Sequence, residues 1–294
     1  MKYRISHTTT YQYSENVSLS QNHARLTPQN SMNQRCLQHH IDISPTPDFI
    51  AEFSDYFRNM VYVFEVPLLH KELKITAASE VEITPRQQTG LFEHQLAWEG
   101  VRDELANPSS MQAMQASEFC LNTPTTRGVE AIRDYAKTSF TAGRPMIEAC
   151  EDLTSRIFHE FHFDPSFSTI NTPVTDVFEH KRGVCQDFAH FALTCLRSVG
   201  LACKYVSGYI ETLPPPGQEK LTGADATHAW VSVYVPGLGW LDFDPTNNLM
   251  PHDQHIVLAT GRDFNDVTPL KGVMFGGGAN QLSVAVDMNR IDGE

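Results

Sequence analysis

Cys185, His228 and Asp244 stand in the order that thiol chemistry needs: a sulfur nucleophile, a base to take its proton, and a carboxylate to orient that base. Cys185 lies in Lys181-Arg182-Gly183-Val184-Cys185-Gln186-Asp187, where Gly183 permits a sharp backbone turn and the cysteine falls in the first turn of a helix. Unpaired amides and the helix dipole at that end favour an anion, and hence a thiolate. The Cys185 amide is also available to a developing oxyanion. Asp187, in the same turn, opposes the thiolate slightly while stabilising the helix as an N-terminal acid. The competing description of Cys185 is a small buried hydrophobe, the ordinary fate of a free cysteine. Cys195, on the apolar face of the same helix, fits that description.

His228 opens the alternating run Thr227-His228-Ala229-Trp230-Val231-Ser232-Val233-Tyr234-Val235, and Asp244 closes Gly239-Trp240-Leu241-Asp242-Phe243-Asp244. Pro236-Gly237-Leu238-Gly239 between them is turn chemistry, so the two runs form a hairpin. Register decides whether they cooperate. A three-residue loop (236–238) or a five-residue loop (235–239) puts both side chains on one face as diagonal neighbours, about 7–8 Å apart at the backbone and within side-chain reach. A two- or four-residue loop puts them on opposite faces. The composition allows either. A strand histidine is also commonly a hydrogen-bonded structural residue, and Asp before Pro a common turn starter.

These residues need elements to hold them. Residues 1–85 read as short strands: Leu37, His39, Ile41 and Ile43 alternate with polar residues, and Tyr62, Phe64 and Val66, Leu73 and Ile75, and Val81 and Ile83 do so less cleanly. Turn clusters such as Ser44-Pro45-Thr46-Pro47-Asp48 separate them, which points to an antiparallel sandwich or barrel. The stretch 86–126 is polar and irregular and reads as a linker or strap, with one short helix near Met111–Phe119. Residues 127–294 form the second domain. Val129, Ile132, Tyr135 and Ala136, then Ile147, Cys150, Leu153, Ile157 and Phe158, recur at helical spacing. A third helix runs from about Val184 to Val199, with Phe188, Phe191, Ala192, Cys195, Leu196 and Val199 on one face and Gly200 as its stop. Strand-type runs follow at Ala202–Ile210, Ala229–Val235, Trp240–Phe243 and Leu282–Met288, so this domain is α+β.

Bulk properties narrow the partners. The 294 residues carry a formal net charge of −13, with 41% hydrophobic and 19% charged residues. That is globular composition, and the acidity together with the lack of basic runs speaks against nucleic acid. No apolar run approaches the roughly 20 residues of a membrane span, and the polar opening Met1-Lys2-Tyr3-Arg4-Ile5-Ser6-His7 has no apolar core of a signal peptide. The expected compartment is the cytoplasm. Cys36, Cys120, Cys150, Cys185, Cys195 and Cys203 are scattered without CxxC pairs, which fits reduced thiols.

Gly183-Val184-Cys185-Gln186-Asp187-Phe188-Ala189-His190, Tyr205-Val206-Ser207-Gly208-Tyr209, His228-Ala229-Trp230-Val231 and Trp240-Leu241-Asp242-Phe243-Asp244-Pro245-Thr246 together resemble the transglutaminase-like superfamily of papain-type thiol enzymes, in particular its bacterial cysteine-protease branch. The likeness extends to Gly261-Arg262-Asp263-Phe264-Asn265-Asp266-Val267 with Pro269. It also reaches Tyr56-Phe57-Arg58-Asn59, Phe64 and His70, which resemble that branch's N-terminal β-domain. The resemblance implies a papain-like core of helices on an antiparallel sheet, preceded by an all-β, sandwich-like domain. It also implies a Cys185–His228–Asp244 triad acting on amide bonds through a thioester, with Trp230 in substrate binding. No cofactor or metal is expected, and the partner is a peptide or protein.

Animal transglutaminases hold the oxyanion with a tryptophan upstream of the cysteine, whereas Trp98, Trp230 and Trp240 are the only tryptophans here and none lies in the helical stretch before Cys185. The second oxyanion donor is unassigned; His162 is a candidate, set against a surface histidine at a helix end. No calcium loop matches. His159 and His162 share a helix face but lack the HExxH pattern of a zinc site, and Gly276-Gly277-Gly278 reads as a turn, without the context of a phosphate loop. Three functions compete: a thiol hydrolase with water as acyl acceptor, a transglutaminase with an amine as acceptor, and a binding module that keeps the fold without turnover. The filled triad disfavours the last.

Overall fold

Alternation builds the first unit. In the computed structural model, which describes residues 1–85, 95–212 and 225–291, β1 (Lys2–Ala24) turns Tyr3, Ile5, His7 and Thr9 inward and leaves Lys2 and Arg4 outside. β2 (Gln34–Ser44), β3 (Phe49–Ser54), β4 (Met60–Val66) and β5 (His70–Ile83) join it in one antiparallel sheet of order β2-β5-β1-β4-β3. β1 pairs with β5 along its first half and with β4 along its last residues. The sheet curls over Val17, Phe64, Val66, Leu73 and Ile75, inward residues of its strands, and Leu26 from the segment after β1. A bulge in β2 between Cys36 and Gln38 leaves Leu37 facing solvent, out of step with the alternation.

The stretch read as a strap is part of a helical layer. α1 (Trp98–Ala106), α2 (Met111–Ser117) and two short turns at 118–120 and 124–126 bury Val101, Leu105, Ala113, Ala116 and Phe119 in the same core as the helices that follow. Its apolar residues are few and small among polar neighbours, so its periodicity is faint in the sequence. Residues 86–94 of that stretch lie outside the described residues.

α3 (Glu130–Ser139) and α4 (Met146–Glu160) lead to β6 (His162–Phe163), α5 (Val174–His180), β7 (Arg182–Gly183) and α6 (Cys185–Ser198), with β6 and β7 paired in parallel. Next come β8 (Cys203–Ile210), β9 (Ala226–Val235), β10 (Gly239–Phe243) and β11 (His255–Gly261), forming an antiparallel sheet of order β10-β9-β8-β11. α6 is central: every residue from Asp187 to Arg197 is buried, between β8 and β9 on one side and α3, α4 and α5 on the other. The amphipathic face read from the sequence is there, but the opposite face is covered too. Arg197 survives burial because its guanidinium donates to the carbonyls of Phe119, Cys203 and Arg262 and to Thr126 Oγ1.

After α7 (Phe264–Val267) the chain leaves the second unit. β12 (Leu270–Gly276) and β13 (Asn280–Arg290) both pair with β1, along Val17–Ala24 and Tyr3–Tyr13 respectively. The second domain read as 127–294 therefore gives up its last strands to the first sheet. Alternation identifies a strand but not its partner, and the long free edge of β1 needs one. Gly276, Gly277 and Gly278 form the turn between these strands, all with positive φ (92°, 88° and 61°).

Candidate active site

The turn that carries Cys185 is held from several directions. Lys181 ends α5 in the left-handed conformation (φ 53°), and its ammonium lies 4.2–4.4 Å from the ring centres of Tyr135, Phe161 and Phe178. Gly183 is required for space: a Cβ there would sit 2.7 Å from Asp187 Oδ2 and 2.8 Å from its Cβ. Asp187 turns back to accept the Val184 amide at 2.8 Å and the Ser168 hydroxyl. Burial raises its pKa, and those two bonds work against the rise. The carboxylate expected to oppose the thiolate is thus occupied in fixing the start of α6. Cys185 is the first residue of that helix, half-buried, with its amide among those a helix start leaves without an internal acceptor.

The hairpin adopts the register with a three-residue loop. Val235 faces Gly239 and Val231 faces Phe243, so the continuing register sets Trp230 opposite Asp244 and makes His228 its diagonal neighbour. Gly237 and Gly239 supply the positive φ values of the turn (81° and 78°). His228 Nε2 lies 2.7 Å from Asp244 Oδ2, and the charge of Cys185 also acts on the same imidazole. One ring therefore feels both the sulfur and the carboxylate.

Asp244 is fully buried and accepts five hydrogen bonds. Oδ2 receives His228 Nε2, His255 Nε2 at 3.0 Å and Asn247 Nδ2 at 2.7 Å; Oδ1 receives the amides of Thr246 and Asn247 at 2.9 and 3.2 Å. Burial works to raise its pKa, but the bonds from His228, His255 and Asn247 win and hold it well below the ordinary carboxylate range. At His228 burial opposes charge, and the bonds and charges of Asp244 and Cys185 outweigh it, pushing the imidazole up to about 10. Burial pushes Cys120 up to about 11 and Cys203 up to about 12, and raises Cys36, Cys150 and Cys195 as well.

Trp230, assigned to substrate binding by resemblance, is fully buried. Its indole N–H donates to Asp242 Oδ2 at 3.1 Å, and its ring stacks beside His228 and meets His255 edge-on, 5.0 Å between centres. It forms the floor under the histidines and presents no surface to a substrate. His162 is exposed on β6, with its backbone amide on the Lys181 carbonyl. The second oxyanion donor stays unassigned.

Two members of the site escaped the sequence reading, Asn247 and His255. Asn247 sits in the Asp244-Pro245-Thr246-Asn247 turn, where its amide passes for turn chemistry. His255 opens the apolar run of β11 just as His228 opens β9, and that parallel is the signal. Donor atoms of His228, Asp244 and His255 lie within 4.8 Å of one another, the spacing of a possible metal set. Both imidazoles, however, direct Nε2 at one carboxylate oxygen, so a cation would have to displace two hydrogen bonds. The arrangement is that of a hydrogen-bonded network.

This fold is a transglutaminase-like, papain-type core, and comparison with known proteins gives its family. The pattern of the bacterial transglutaminase-like N-terminal region matches residues 3–82, and that of the transglutaminase-like superfamily matches residues 122–245. The chain belongs to the transglutaminase-like superfamily. An uncharacterized protein of Mycobacterium tuberculosis is 39% identical over all of this chain and 94% of its own length. A protein-glutamine gamma-glutamyltransferase of Pseudomonas aeruginosa is 30% identical over 34% of this chain and 16% of that protein. Among solved structures, a candidate cysteine protease of Cytophaga hutchinsonii shares the fold, with a TM-score of 0.78 and 18% identity over 100% of this chain and 92% of that one. Among the described residues no helix is long and apolar enough to cross a membrane.

Proposed function

We propose that this protein is a cysteine hydrolase of peptide or protein amide bonds, with Cys185 as nucleophile, His228 as acid and base, and Asp244 as the orienting carboxylate. The observation that carries the reading is the buried His228 ring hydrogen-bonded to Asp244 at 2.7 Å, with Cys185 at the start of α6 among the groups that raise its pKa. The Cys185 sulfur attacks the amide carbon, and the carbonyl electrons move to oxygen, where the Cys185 amide donates to the oxyanion. The tetrahedral adduct collapses as His228 gives its proton to the leaving amine, and a thioester remains. Water, giving a proton to His228, then attacks the thioester carbon. Collapse releases the acid and returns the thiolate beside the protonated imidazole. The six free cysteines suit a reducing compartment such as the cytoplasm.

A second reading keeps the thioester and passes the acyl group to an amine. The Pseudomonas relative's name favours it, and the chemistry differs only in how well water is excluded from the site. Alkylation with iodoacetamide at pH 6–7, followed by peptide mapping, tests the centre they share: Cys185 is modified first, and Cys195 and Cys203 lag. Preferential labelling of another cysteine overturns the assignment. Incubation with glutamine-containing peptides and a dansylated amine then separates the readings, since hydrolysis yields free acid and transfer yields conjugate. Selective labelling without either product supports a non-catalytic binding module.

A further inference from the structure

We propose that His255 is a positioning residue of this centre, a second imidazole that clamps the Asp244 carboxylate in the orientation His228 needs. The proposal rests on the triad reading above. His255 Nε2 lies 3.0 Å from the same Oδ2 that receives His228, and the ring is buried. An Asp side chain turns about two bonds; the Thr246 and Asn247 amides hold Oδ1, and His255 helps hold the oxygen that faces His228. Two imidazoles from different strands fix the oxygen between them, with Asn247 as a third donor on the same atom. Among the described residues the other nitrogen of His255, Nδ1, is buried without a partner, so the Asp244 contact is the ring's one hydrogen bond there. A buried polar atom left unpaired costs about 1–3 kcal/mol, which leaves the Asp244 contact to justify a histidine at this position.

The ring has little room to drift. Trp230 meets it edge-on at 5.0 Å between centres. Its strand, β11, is pinned from the first sheet: the Gln34 side chain bonds both the Val257 amide and carbonyl at 2.7 Å, and the Gln29 amide donates to that carbonyl at 3.0 Å. Further along, Asn59 bonds the amide and carbonyl of Thr260. The first sheet thus reaches the Asp244 carboxylate through β11 and His255.

The experiment follows Cys185 alkylation as a function of pH in the full chain, with turnover as a second readout. The titratable groups facing the network are Cys185 on α6, His228 on β9, Asp244 after β10, Asp242 on β10 beneath Trp230, and Lys204 on β8 near Asp242. In His255→Phe the ring shape stays and the donor goes. Asp244 then holds the protonated His228 less firmly, and the midpoint for forming the reactive thiolate moves up by about one pH unit or more. In His255→Gln the amide nitrogen can still donate, and the midpoint returns toward wild type. His255→Asn falls short of the carboxylate and behaves like Phe, which keeps the test alive should the Phe variant fail to fold. A merely structural role lowers the melting temperature of all three and leaves the midpoint in place, and that result overturns the proposal. Wild type without selective Cys185 labelling overturns the triad reading itself, and the positioning role with it.

Discussion

Each sheet buries a histidine, and the two have opposite chemistry. His7 in the first sheet is 2% exposed and His228 in the second sheet 7%. His7 places Nδ1 2.9 Å from the Tyr209 hydroxyl and Nε2 2.9 Å from Thr9 Oγ1, two neutral partners. Burial therefore dominates and lowers its pKa to about 4. At His228 burial acts in the same direction but loses to Asp244 and Cys185, and the pKa rises to about 10. Burial alone does not make a histidine basic. A carboxylate that is itself held ionised does, and Asp244 is held so by five donors.

The sharpest way to break that contrast is to make the partner of His228 neutral as well. Asp244→Asn keeps the size of the side chain and removes its charge. The imidazole then loses both its tautomer control and the stabilisation of its protonated form. Turnover should fall by about 10²–10⁴-fold, with circular dichroism near wild type. Near-wild-type kcat in a folded Asp244→Asn protein removes Asp244 from the mechanism.

A second change tests whether the first sheet supports the catalytic one. Gln34→Ala removes the side chain that bonds Val257 on β11 through both its oxygen and its nitrogen. It leaves the part-buried Val257 amide without that acceptor, while the carbonyl keeps the Gln29 amide, and the expected loss of stability is about 1–3 kcal/mol. Denaturant unfolding measures it. A loss below about 0.5 kcal/mol, the scale of an ordinary surface substitution, means the two sheets merely touch.

The sequence is readable where side-chain pattern and turn chemistry agree, and less so where partners are chosen at long range. Cys185 at a helix start, His228 at a strand start and Asp244 before Pro245 are each local signals, and the glycines at 237 and 239 fit the loop that unites the last two. The register remained open because loop composition does not count its own residues. His255 was hidden for a different reason. It comes 11 positions after Asp244, on a strand whose neighbour is β8 and not β10, so only the strand order brings it to the carboxylate. The return of β12 and β13 to β1 is the same kind of fact. Gly208 shows how such packing is written in single residues: an added Cβ would lie 2.0 Å from the Ile256 carbonyl oxygen and 2.6 Å from the Trp230 ring.

The smallest effect is expected at His7, and it appears only in acid. Its folded pKa, about 4, lies below the ordinary histidine value of 6.5. Between those values the unfolded chain binds a proton that the folded chain does not, so stability falls as pH drops from about 6.5 to about 4 and is indifferent to this group outside that window. By pH 5.5 the loss amounts to about 1 kcal/mol. His7→Gln removes the titration while keeping a group able to bond Tyr209 or Thr9. Unfolding measured at pH 7.5 and at pH 5.5 should show wild type losing more stability between the two than the variant does, by roughly that amount. His228 contributes with the opposite sign: its folded pKa is raised, so its stabilisation is complete below pH 6.5 and is lost as pH rises toward about 10. The two histidines therefore bend the stability curve at opposite ends. If His7→Gln leaves the acid limb unchanged, the first-sheet histidine takes up its proton without penalty, and the contrast between the two burial sites does not hold.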